Sequence, residues 1–303
     1  MLNNNFRTRM GIGPHAGQLI ALSVDGDSQT AIAEGGRVAA GQEYAAVAAS
    51  LWRSPYGSYT NFAVSGTSWA TRLSALSTSG VLTLLAAGKA AGKMTIAHCA
   101  AGHNDIVQSA PGSVAAMATT ASSYASAVKT GGAQYMIAGT IYPTTDTSGP
   151  MEPTRSQWNA YLRANYKSMG IDVLCDYDLE PQLQNPSDTT RYLDGIHFTS
   201  AGANIAATIH AWAVMSLRSS LRISSVSVSS GAIAGGTTVD IFGSGFSGAT
   251  RVAFHALPAA SFQIIGDGHI RAVTATASLR GLGYVYVIGA QGADRLYQGW
   301  SYT

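Results

Sequence analysis

Charge is scarce in this chain. Lys and Arg number 18 and Asp and Glu 16 in 303 residues, a net of +2, with no run of one sign. Binding to phosphate backbones needs clustered cations, so this composition argues against a nucleic-acid partner. Cysteine is scarcer still. Cys99 and Cys175 each sit in an apolar run, IAHCAAG and DVLCDY, where a thiol is a small apolar side chain. If these runs are the third and fifth strands of a parallel sheet, two strand spacings of roughly 9 to 10 Å part them. A disulfide tolerates about 7 Å between Cα atoms, so none is expected. The longest apolar stretch, Asn204 to Leu217, carries His210 and falls short of the about 20 residues that a membrane span takes. Arg7 and Arg9 are followed by Gly, Pro and His, not by a continuous apolar segment, so no signal peptide is expected. What is abundant is apolar mass, 46% of residues. That is enough for a sizeable core under a surface made soluble by Ser, Thr, Asn and Gly.

Up to about Leu221, short apolar runs alternate with longer Ala-rich segments. QLIALSV precedes Ala31 to Trp52, and NFAVSG precedes Trp69 to Lys89. KMTIAHCA precedes Ser113 to Lys129, YMIAGTI precedes Thr154 to Met169, and IDVLCDY stands before Ser200 to Leu217. Strands alternating with helices of this length imply right-handed crossovers and a parallel sheet covered on both faces, a three-layer α/β/α domain. Pro153 and Thr154 fall where a helix should start and Gly170 where it should stop. From Arg222 the texture changes to short alternating segments, SSVSVSS, TTVDIFGSGF, TRVAFHA, IRAVTAT and GYVYVIGA, separated by Gly-rich turns. These predict a small β-sandwich. The expected layout is an N-terminal arm over 1–17, an α/β domain over 18–221 and an all-β domain over 222–303. The α/β domain is expected to fold and act without the sandwich. Within the sandwich, GGTTVDIFGSGFSGATRVAFHALPA resembles the immunoglobulin-like IPT/TIG module, a frequent appendage of extracellular and surface proteins.

Four separated pieces of the first domain carry chemistry. Asp25-Gly26-Asp27-Ser28 ends the first strand, and Val64-Ser65-Gly66-Thr67-Ser68 follows the second. Gly102-His103-Asn104-Asp105 follows the third, and Asp194-Gly195-Ile196-His197 precedes the last helix. Each alone has an ordinary explanation: a helix-capping serine, a turn glycine, turn-forming Asn and Asp, a solvated histidine. Their joint order is not explained that way. Three lie at the carboxyl ends of successive strands, the edge of an open α/β sheet where ligands bind, and the fourth lies in a loop that reaches it. One pocket then holds a hydroxyl nucleophile, an imidazole, a carboxylate and amide donors, the set that acyl transfer needs.

In order, GDS, Gly66, GHND and DGIH match the four blocks of the SGNH/GDSL hydrolases, a resemblance that runs from Leu19 to about Leu217. It implies a flavodoxin-like fold. It implies Ser28 as nucleophile with Asp194 and His197 completing a triad. The oxyanion donors would be the backbone N–H groups of Ser28 and Gly66 and the side-chain amide of Asn104. No metal or cofactor is implied. The expected function is hydrolysis of small acyl esters, O-acetyl foremost, on a carbohydrate or polysaccharide. Polar loops over Pro143 to Pro153 and Tyr177 to Tyr192 and the IPT/TIG-like module favour that substrate over a lipid. Lipase or thioesterase activity is the alternative within the family.

Three rival readings use other residues. Gly66-Thr67-Ser68-Trp69-Ala70 approximates the G-x-S-x-G nucleophile elbow, with Ala70 in place of the last glycine. His98, Cys99, His103 and Asp105 are metal-ligand types at unfamiliar spacing. A non-catalytic surface or phage-tail adhesin would stack sugars on Trp52, Tyr56, Tyr59, Trp69 and Tyr142. The module points to an extracellular or virion-associated protein, joined to a larger surface or virion assembly; with no signal peptide expected, either a leader has been trimmed or export takes another route, such as lysis with a phage tail.

Overall fold

A computed structural model of the chain describes residues 18–31, 41–52, 57–108, 113–147, 151–218 and 220–303. The expected arm at 1–17, most of the segment leading into the first helix, and Tyr56 lie outside the described residues.

Five parallel strands form the first sheet: β1 (Ile20–Gly26), β2 (Gly57–Asn61), β3 (Met94–Ala100), β4 (Tyr135–Gly139) and β5 (Val173–Cys175). Their order, β2-β1-β3-β4-β5, is the flavodoxin-like order with its switch point between β1 and β3. β1, β3 and β4 are buried almost throughout, as near-continuous apolar strands of a two-sided sheet should be. Side chains alternate between two cores with the pleat. Ile20, Leu22, Val24, Met94 and Ile96 pack with helices α1 (Tyr44–Ser50) and α7 (Ser200–Ser216). Ala97, Cys99, Met136 and Ala138 pack with the opposite layer, made of α2 (Trp69–Ala75), α3 (Val81–Ala90), α5 (Val114–Thr130) and α6 (Met151–Asn165). A short helix, α4 (His103–Val107), follows β3 directly. Cys99 and Cys175 are buried and free.

Two elements differ from expectation. The second strand is GSYTN rather than NFAVSG. As the edge strand it is half-exposed and polar at alternate positions, so it lacks the apolar run that marks an interior strand. Phe62 and Val64 still donate to the carbonyls of Val24 and Gly26, at 2.7 and 3.1 Å, which carries the chain alongside β1 past the strand's end. The helix expected over Trp69 to Lys89 is two helices, α2 and α3, separated by the turn at 76–80.

Residues 222–302 form two facing antiparallel sheets, apart from one short parallel pairing of Ser230–Gly231 with Ser301–Tyr302. One holds β10 (Leu257–Pro258), β9 (Ala249–Phe254), β13 (Gly281–Gly289), β14 (Gly292–Tyr302) and β7 (Ser230–Gly231). The other holds β11 (Ser261–Gly266), β12 (His269–Val273), β8 (Thr238–Ser244) and β6 (Arg222–Val226). Their core includes Val239, Ile241, Phe246, Phe254, Val285 and Trp300.

Helix α7 is covered on two sides. Ala253, Ala256, Tyr286, Ile288 and Ala293 of the sandwich belong to the same buried cluster as Ile205, Ile209 and Val214 of the helix and Leu22 of the sheet. Twelve of the seventeen residues of α7 are buried, so it reads as apolar all round rather than as one stripe. Polar contacts fix the junction. Arg251 donates to Asn204 O at 3.0 Å and to Thr208 Oγ1 at 2.9 Å. The Arg295 guanidinium lies between the rings of Trp212 and Tyr284, at 3.6 and 4.2 Å. Gln182 donates to Leu279 O and accepts from Ser278 N, both at 2.9 Å. Among the described residues no helix is long and apolar enough to cross a membrane.

Candidate active site

β1 ends at Gly26 with φ 147°, and a Cβ there would lie 2.3 Å from Ala100 O. Only glycine lets the chain turn this tightly against β3. Asp27 N then donates to Ala100 O at 3.2 Å, and a tight turn follows in which Thr30 N and Ala31 N both donate to Asp27 O. The Asp27 carboxylate accepts from Gln29 N at 2.9 Å. Ser28 stands half-buried at the crest of this turn.

The loop before α7 brings the imidazole to it. Asp194 Oδ1 accepts from the backbone N–H of Ile196 at 3.0 Å and of His197 at 2.7 Å. Its Oδ2 lies 2.8 Å from His197 Nδ1, and His197 Nε2 lies 2.9 Å from Ser28 Oγ. A carboxylate only accepts, so Nδ1 carries the proton and the Nε2 lone pair faces the serine hydroxyl. Burial works against the Asp194 charge, but the His197 side chain and the two N–H groups outweigh it and hold the carboxyl below its usual range.

The turn at 64–68 is tied to the same edge. Thr67 Oγ1 donates to Gly26 O at 3.2 Å and to Val64 O at 2.7 Å. Asn104 Nδ2 donates to Thr67 O at 3.1 Å, and Gln108 bridges Gly66 O and Asn104 Oδ1, at 3.3 and 3.2 Å. The Asn104 amide keeps a second N–H free of Thr67. Behind this turn, both oxygens of Asp105 accept from Trp69 N, at 3.2 and 3.0 Å, which fixes the start of α2. Burial pushes the Asp105 carboxyl up to about 6 against that N–H. Asp27, buried beside the nucleophile, is pushed up to about 7 by burial and further by the charge of Asp105, against the Gln29 N–H. Asp25 pairs with Arg72 at 2.7 Å and accepts from Tyr124 Oη at 2.7 Å, an anchor below the site.

The structure thus brings Ser28, His197 and Asp194 into contact and ties the Gly66 and Asn104 segments to the same strand ends. Residues of the rival readings lie elsewhere. Ser68 caps α2 by accepting from Thr71 N at 3.2 Å. Of the four metal-type side chains, His98 faces His210, His103 binds Asp146 and Asp105 binds Trp69. Among the described residues no three His, Cys, Asp or Glu gather as a metal site. The aromatic platform is corrected by burial: Trp52, Trp69 and Tyr142 are at most 2% exposed. They pack under the helices, and Tyr142 stacks on Phe198 at 4.1 Å. The sequence reading missed the pair His103–Asp146, at 2.9 Å; its one signal was the histidine inside GHND.

Residues 221–302 match the IPT/TIG domain family. No curated protein matches the chain in sequence. Among solved structures, the native aryl esterase of M. smegmatis is similar over 66% of this chain and 99% of its own, at 17% identity and a TM-score of 0.50. A lipolytic protein of the G-D-S-L family from Veillonella parvula DSM 2008 is 16% identical over 63% of this chain and 95% of its own, with a TM-score of 0.48. A variant of the acetyl xylan esterase Axe2 from Geobacillus stearothermophilus is 18% identical over 68% and 95%, with a TM-score of 0.47. At such identities the likeness is one of fold. The chain therefore joins a three-layer α/β/α region, similar in fold to that aryl esterase, to a region that matches the IPT/TIG domain family.

Proposed function

We propose that this protein is a serine ester hydrolase that removes small acyl groups, acetyl foremost, from a carbohydrate or polysaccharide. The observation that carries the reading is the unbroken series Asp194–His197–Ser28, with links of 2.8 and 2.9 Å, at the carboxyl edge of the sheet. His197 Nε2 takes the Ser28 proton as Oγ adds to the ester carbonyl. The resulting oxyanion is received by the N–H groups of Ser28 and Gly66 and the free N–H of the Asn104 amide. His197 then returns the proton to the departing alcohol, leaving an acyl-Ser28 ester. Water, deprotonated by the same imidazole, cleaves that ester and releases the acid. Each oxyanion donor is worth about 10² to 10³ in rate.

A sugar as the alcohol is supported by polar surroundings. A cavity of about 370 Å³ beside the Asp194 loop is lined by Thr144, Thr145, Asp146, Thr147, Met151 and Glu152, groups that meet hydroxyls better than acyl chains. The IPT/TIG domain fits work on an extracellular or virion-borne surface. The test is kcat/KM over p-nitrophenyl esters of two to twelve carbons, with acetate release from acetylated polysaccharides. Activity should peak at acetyl and fall beyond butyryl, and Ser28→Ala or His197→Ala should lower it by roughly 10⁴ or more with the fold intact. A maximum at eight carbons or longer without acetate release would move the chain to the lipase or thioesterase alternative. Undiminished turnover in Ser28→Ala would reject the site.

A further inference from the structure

The Asp194 side chain is 45% exposed, so packing does little to hold the acid itself, although Gly195, His197 and Phe198 beside it are buried. Its own bonds run only to Ile196 and His197, inside the same loop. An outside support comes from the segment after β4. Thr145 N donates to Gly195 O at 2.9 Å. The two residues sit so close that a Cβ on Gly195 would lie 1.9 Å from Thr145 Oγ1. The next residue, Asp146, meets His103 Nε2 through Oδ2 at 2.9 Å, with the two side chains 13% and 6% exposed. His103 opens α4, one residue before Asn104. A continuous series of contacts thus runs from the strand-anchored helix α4 through His103, Asp146 and Thr145 to Gly195, between Asp194 and His197.

We propose that His103 and Asp146 are positioning residues: their paired side chains clamp the 144–147 segment to α4, and that segment holds the Asp194–His197 loop in register with Ser28. The assignment rests on the ester-hydrolase reading for its kinetic consequence, while the contacts stand without it. The carboxylate accepts from His103 Nε2–H, which leaves Nδ1 as the unprotonated nitrogen. That atom is buried with no hydrogen-bond partner among the described residues. Burial keeps the imidazole neutral against the pull of Asp146, and His197 adds to the effect. The clamp therefore places no cation beside the base.

The test uses full-length protein carrying Asp146→Ala, His103→Leu or the conservative Asp146→Asn, which keeps an acceptor for His103. Steady-state kinetics on p-nitrophenyl acetate should show kcat reduced tenfold or more in the first two, with KM within threefold and the thermal midpoint little changed. Asp146→Asn should recover most of the loss. A second readout needs no turnover: the low-field proton NMR signal of His197 Nδ1–H, sharp in the parent protein, should broaden or vanish in Asp146→Ala. Parent-like kcat and an unchanged signal in Asp146→Ala would overturn the proposal, as would a loss that Asp146→Asn does not relieve. An inert parent protein whose NMR signal still responds to Asp146→Ala would reject the hydrolase reading and leave the clamp standing.

Discussion

Two histidines at the centre of the α/β core make the stability of this protein steeply dependent on acid. His98, on β3, and His210, on α7, are fully buried, with ring centroids 4.5 Å apart. None of their four ring nitrogens has a hydrogen-bond partner among the described residues. Tyr44 closes over both, at 6.2 and 5.5 Å. Burial pushes the His210 imidazole down to about 3; burial, and then the nearby His210, push His98 well below its ordinary value. Both stay neutral in the folded chain but take up a proton below about 6.5 once unfolded. Their contribution is therefore fully present above pH 6.5 and is lost as pH falls towards the depressed values. For His210 this costs about 1.4 kcal/mol per pH unit in that window, roughly 3 kcal/mol by pH 4.5, and His98 acts in the same direction. That is a large part of the whole stability of many domains. Urea unfolding followed by circular dichroism at several pH values from 7 to 4.5 should show the parent falling more steeply than the double variant His98→Leu/His210→Leu. The gap in slope should be at least about 1 kcal/mol per pH unit. Parallel curves would refute the reasoning, because contributions from all other groups cancel in the difference.

Three further outcomes can be checked by kinetics, melting and elution volume. Asn104→Ala should lower kcat by about 10² with little change in KM, whereas Ser68→Ala, which removes only the α2 cap, should cost about 1 kcal/mol in thermal stability and leave turnover near normal. A chain ending at Leu221 should melt lower and self-associate, since it uncovers the sandwich-facing side of α7 and Trp212, at roughly 1.5 to 3 kcal/mol for each large side chain exposed; unchanged melting and a monomeric elution volume would contradict this.

The sequence was most legible where one physical requirement dictates the residues. Strands buried on both faces must be apolar throughout, and β1, β3 and β4 stand out for that reason. The edge strand β2 and the sandwich strands β11 and β14 do not. Ser261 to Gly266 is exposed at nearly every position. β14 carries Asp294, Arg295 and Gln298, with a shift in its pairing with β13 between Gly283 and Val285 and Gln298 at φ 52°. The Ser28, Asn104 and DGIH segments were readable because the proposed acyl transfer would prescribe their side chains. Their supports were not: Trp69 and Asp105 are 36 residues apart, and His103 and Asp146 are 43 apart. No local spacing rule links such pairs. Trp52 and Trp69 are buried, as aromatics near strand ends more often are, so the rival use of them as sugar platforms falls.

Helix α7 begins three residues after His197, where Thr199 caps it by accepting from Gly202 N at 3.3 Å. Further along, its length is gripped by Arg251 and Arg295 of the sandwich. The IPT/TIG domain is consequently no pendulum on a tether. It packs along the same helix whose first turn follows the imidazole loop. The proposed site and the sandwich therefore share one attitude, set by the helix that both rest on.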